Sequence, residues 1–122
     1  MIYEMMIDML NTKIALVVGK KKAIKYVKKQ YGIALELDSD GSCIEFTDDG
    51  KQDILVVLKK SDNIVGQKGL LVHEISHAVS FMMDWYNIRC DEFRSYAVQY
   101  LYSEMIREID GMHSRRIEKE MM

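Results

Sequence analysis

Proline is missing from this chain, and cysteine occurs only twice, as Cys43 and Cys90. Two isolated thiols exclude a disulfide framework and fit a reduced, cytoplasmic setting. No stretch approaches the roughly 18 uninterrupted apolar residues of a membrane-spanning helix. The segment Met1–Leu10 is apolar and methionine-rich, but Glu4 and Asp8 interrupt it. It has neither a basic start nor a small-residue cleavage site, so it does not read as a signal peptide. Net charge is also small, because 17 basic residues nearly balance 19 acidic ones. A net charge of −2 and a pI of about 5.9 argue against bulk attraction to nucleic acid or to an anionic membrane. What the chain does have is apolar mass: 48% of its 122 residues, enough for one packed domain and too much for a disordered segment.

The pattern along the chain changes period several times. Residues 13–18 form a β-rich apolar run ended by Gly19, which reads as a buried strand. Residues 20–31 read as an amphipathic helix with Ala23, Ile24, Val27 and Tyr31 on one stripe, six lysines around it, and Gly32 as its stop. The lysines read as a solvated face. Three strands are expected next, at 33–37, 43–47 and 54–58. The Asp-and-Gly clusters 38–42 and 48–51 separate them as turns, and neither cluster has the spacing of a calcium loop. Residues 61–69 read as a loop with two glycines, 70–84 as a helix, 86–90 as a connection and 91–109 as a last helix. Residues 111–122 read as a polar, frayed tail. The expected organisation is an apolar N-terminal segment, 1–12, a domain of class α+β with helices packed on a small sheet, 13–110, and a flexible tail, 111–122.

One pentapeptide names a chemistry. His73-Glu74-Ile75-Ser76-His77 has the HExxH arrangement. Positions i and i+4 share one helix face, so both imidazoles can grip one ion. Glu74 lies about 100° round the helix from His73. That suits it to reach a water on the ion rather than to be a third ligand. Two ligands and a general base form the smallest kit of a zinc hydrolase. The competing reading is a satisfied structural histidine pair. Apolar flanks, and a stretch from Leu70 to Asn87 free of glycine and proline, favour the metal.

A catalytic zinc takes three protein ligands and leaves one place for water. Asp84 continues the histidine face, but about 10 Å further along the axis. His113 lies in the polar tail. Cys90 is a good zinc ligand but an uncommon partner for this motif. Asp91 and Glu92 open the final helix. Glu92 is the expected third ligand, with Asp91 and Cys90 as the competing donors. Tyr96, one turn beyond Glu92, either offers a hydrogen bond near the site or is an ordinary core tyrosine. Asp91 is expected to cap the helix.

The segment from Gly69 to Val79, carrying the pentapeptide, followed by Asp91-Glu92-Phe93-Arg94-Ser95-Tyr96, resembles the small metallopeptidases encoded by phages and prophages. These look like compact gluzincins, HExxH zincins whose third ligand is a downstream glutamate. The resemblance runs from about Lys13 to Ile109. Ser95 stands where that family often has alanine, a change of one small residue for another. The resemblance implies a zincin-like fold, zinc on His73, His77 and Glu92, Glu74 as catalytic base, and residence in the host cytoplasm. It also implies that the strand 54–58 lies beside the cleft and pairs with an extended peptide. The expected activity is zinc-dependent peptide hydrolysis on a peptide or protein substrate, without nucleic acid or membrane. The main alternative is a non-catalytic, zinc-stabilised phage protein that binds a host or phage partner; a second, suggested by the lysine-rich helix, is a DNA-linked protease.

Overall fold

The computed structural model describes all residues, Met1–Met122. The chain is α+β: a four-stranded mixed sheet with helices on both faces. In chain order the elements are β1 (Ile2–Ile7), a 3-10 turn (Asp8–Leu10), β2 (Thr12–Val18), α1 (Lys20–Tyr31), β3 (Gly41–Asp48), β4 (Lys51–Leu58), α2 (Ile64–Trp85) and α3 (Asp91–Met121). Spatial order in the sheet is β1-β2-β4-β3. The β2–β4 pair is parallel and the outer pairs are antiparallel.

The central strands β2 and β4 are buried on both faces, so they read as continuous apolar runs rather than as alternations. Ile14, Leu16, Val18, Ile54, Val56 and Leu58 pack against α2 and α3. Their neighbours Ala15, Val17, Leu55 and Val57 pack against Ala23, Tyr26 and Val27 of α1. The β3–β4 hairpin turns at Asp49 (φ 48°) and Gly50 (φ 77°). Both residues have the left-handed backbone that a tight two-residue hairpin requires. Helix α1 stops at Gly32, whose φ of 70° and N–H bond to the Lys28 carbonyl form the expected C-terminal cap.

Several expectations are corrected. The segment 1–12 holds an edge strand, β1, paired with β2 from Ile2↔Val17 to Ile7↔Thr12. Residues 33–37 form no strand. Leu35 and Leu37 rest on the α1-side cluster, so their alternation is satisfied without a ladder partner. Residues 64–69 belong to α2 rather than to a loop. The Asn63 side chain accepts a hydrogen bond from the Gly66 N–H at 3.0 Å, and this cap starts the helix ahead of both glycines. Residues 111–121 continue α3 instead of forming a frayed tail. His113 is buried there, bonded to Gln67 at 2.7 Å, and anchors the extension to α2. Finally, β4 is bonded on one side to β2 and on the other to β3, so its backbone has no free edge for a peptide.

Candidate metal centre

Helix α2 carries buried residues at Gln67, Leu71, Glu74, Ile75, Ala78, Val79, Met82 and Met83, a period that seats one face on the sheet and on α3. His73 and His77 fall on the exposed side of the same helix. Their Nε2 atoms stand 3.2 Å apart, and the rings meet edge to face with centroids 4.9 Å apart. Two imidazoles bound to one tetrahedral zinc at about 2.05 Å place their nitrogens about 3.3 Å apart, so the pair has the spacing a metal needs. The same spacing also suits an Nε2–H···Nε2 hydrogen bond when one ring carries its proton on that nitrogen.

Glu74 adds a carboxylate to the pair. It is 4% exposed, yet one ligand atom from each of His73, Glu74 and His77 lies within 4.8 Å of the others. A carboxylate buried against the sheet and close to two imidazoles is a group that could hold a divalent cation. The residues present suit zinc as a partial donor set: two imidazole nitrogens at ligand spacing and a carboxylate in reach of a water between them, one donor short of a catalytic centre's three.

The walls of this corner come from β3. Gly41 faces Glu74 so closely that an added Cβ would lie 2.9 Å from Oε2. Cys43, two residues on, is part-buried, and its thiol is pushed up to about 12 by burial first and then by the charges of Glu74 and Glu45. Gln52 is fully buried. It donates to Glu45 at 2.6 Å and to the Phe81 carbonyl at 3.0 Å, tying the sheet to the far end of α2. In the sequence Gly41 and Cys43 carry only turn and strand signals. A glycine opening a strand is a known signal of close approach by another group.

The remaining expected residues sit elsewhere. Glu92 is exposed in the first turn of α3 and is outside the His-Glu-His group. Arg94 Nη1 donates to Ser80 Oγ at 3.0 Å, which holds the start of α3 beside α2 about one turn past His77. Asp91 is the first residue of α3 and does not cap it. Cys90 occupies the cap position, with no side-chain cap bond. Asp84 is exposed near the end of α2. Tyr96 is 68% exposed and lines an apolar cavity of about 260 Å³ with Ile7, Met82, Phe93 and Tyr100. His113 is occupied by Gln67.

No protein-family model, curated protein or solved structure matches the chain. No helix is long and apolar enough to cross a membrane.

Proposed function

We propose that the chain is a zinc-dependent peptide hydrolase in which Glu74 is the general base. The observation that carries this reading is the 3.2 Å approach of His73 Nε2 and His77 Nε2 beside a buried carboxylate. A purely structural pair has no use for that carboxylate. His73 and His77 are the residues that would hold the ion, and Glu92, which lies outside their group, is the third donor this reading requires. When bound, the ion supplies Lewis acidity that makes water a nucleophile near neutral pH. Glu74 takes the proton of that water and returns it to the leaving amine. The strand suited to align an extended substrate is β3, which forms one edge of the sheet on the Glu74 side.

The test compares wild type with Glu74→Gln on casein or a quenched peptide, with zinc content measured in parallel. The expected result is chelator-sensitive cleavage by wild type. The variant keeps its zinc and loses on the order of 10²–10⁴ in rate. Cleavage by Glu74→Gln at the wild-type rate would remove Glu74 from this role.

One observation favours a second reading. Both histidines are exposed, and neither lines the apolar cavity at Tyr96 or any of four other concavities of the surface. A metal-stabilised protein that binds a host or phage partner needs no enclosed cleft. In that case zinc is present, and no substrate is turned over.

A further inference from the structure

The total charge of −2 hides a strong segregation. Six of the twelve residues of α1 are lysine, and none is acidic. The fold then adds two more. The Gly19 N–H bonds the Leu58 carbonyl at 2.8 Å, which brings Lys59 and Lys60 from the end of β4 to the start of α1. There a concavity is lined by Gly19 and five lysines alone, three from α1 and two that follow β4. Of the eight lysines on this face only Lys59 has a carboxylate within bridging distance, Asp40 at 3.8 Å. Setting these eight positive charges against the total of −2 leaves −10 on the rest of the chain.

This arrangement works against the start of the helix that bears it, although Lys28 and Lys29 suit its last turn. Three lysines occupy the first turn, where the helix dipole disfavours cations. Lys21 and Lys25, and Lys25 and Lys29, are like-charged pairs at i,i+4 with no intervening acid. A merely solvated face is ordinarily interleaved with glutamate. One carboxylate, Glu4 of β1, borders the concavity of Lys22, Lys25 and Lys29, and a cationic surface with so few acids of its own calls for an anionic partner.

The chemistry of the face selects the partner. Its apolar side is packed on the sheet, so α1 has no apolar stripe left to enter a lipid interface. It presents no free aromatic platform for unstacked bases, because Tyr26 is buried and Tyr31 is stacked on Phe46 at 4.0 Å. It contains no arginine to fork onto base edges. What is left is a row of point charges along a helix of about 18 Å, the axial span of about five phosphates in one strand. We propose that the α1 face, completed by Lys59 and Lys60, binds the phosphate backbone of duplex nucleic acid without reading its sequence. The face lies across the sheet from α2, so this inference is independent of the metal centre.

The experiment is fluorescence anisotropy of a labelled 20-base-pair DNA duplex with the full chain, titrated between about 25 and 200 mM salt. About five phosphate contacts predict a slope of log K against log salt near −4.5. The variant Lys21→Gln/Lys25→Gln/Lys28→Gln changes only exposed side chains. It should lower the slope by about 3 and weaken binding equally for unrelated sequences. Lys119→Gln, exposed at the far end of α3, should change nothing. The proposal is overturned if the duplex does not bind at low salt, if the triple variant keeps the wild-type slope, or if Lys119→Gln reduces it as much as one lysine of the face. Binding to phosphatidylserine vesicles without binding to the duplex overturns it in favour of a membrane surface.

Discussion

Gly41 and Glu74 face each other across the strand–helix boundary at a separation that leaves no room for a Cβ, which would meet Oε2 at 2.9 Å and Cγ at 3.3 Å. The backbone at Gly41 is not left-handed, so the demand is for space and not for an unusual conformation. The atom it meets first is the free end of a flexible side chain. Gly41→Ala is therefore expected to fold and bind metal, but to push the Glu74 carboxylate off its position. Peptide cleavage should fall by about 10-fold or more. Rate and zinc stoichiometry measured on the same preparation check this. An alanine variant with the full wild-type rate would show that Glu74 does not need its observed placement.

Cys43 and Cys90 should differ sharply as thiols. Burial and the nearby carboxylates raise Cys43 from an ordinary value of about 9 to about 12, whereas Cys90 is exposed. Native protein treated with iodoacetamide near neutral pH should be labelled at Cys90, with Cys43 reacting only after unfolding. The sign for stability follows from the same shift. A thiol harder to ionise in the folded state leaves stability intact below about pH 9 and removes it as pH rises toward 12. Cys43→Ala should flatten that alkaline decline in urea titrations. Equal labelling of the two thiols in the native protein would contradict the assignment.

His113 closes a buried chain of hydrogen bonds. Gln67 donates its amide to the Lys59 carbonyl at 3.0 Å, so its oxygen accepts from His113 Nε2–H at 2.7 Å. Removing the imidazole strands a buried acceptor, at a cost of about 1–3 kcal/mol. Urea unfolding of His113→Ala should show that loss. A change below about 0.5 kcal/mol would mean that the end of α3 contributes little to the fold.

Much of this fold was legible where pattern and punctuation agree. The Asp49-Gly50 turn, the Gly32 stop and the apolar runs of β2 and β4 each carry a local signal that tertiary structure did not override. The misreadings share one physical cause: context supplied a partner that local pattern cannot show. Gly66 and Gly69 suggested a loop, but the Asn63 cap and the apolar face behind them outweighed about 1 kcal/mol per glycine. The end of α3 looked too polar for structure, yet His113 found Gln67, 46 residues away. At the site, i,i+4 spacing was enough to bring His73 and His77 together. The neighbour of Glu74 was not legible, because Gly41 reaches it only through the sheet. The six lysines of 20–31 were plain in the sequence, but not that Lys59 and Lys60 join them, because the sheet brings those two to the start of α1.

The account rests on a metal bound between His73 and His77, and the most direct measurement is metal content by mass spectrometry on protein purified without a metal-affinity tag. Wild type should carry about one zinc per chain, and His77→Ala should carry none. Glu92→Ala should lose it as well. Retention of tight, stoichiometric zinc there would keep the centre but reject Glu92 as third ligand. Wild-type protein that holds no metal even after zinc is supplied would contradict the central claim, leaving the histidine pair as a hydrogen bond on an exposed helix face.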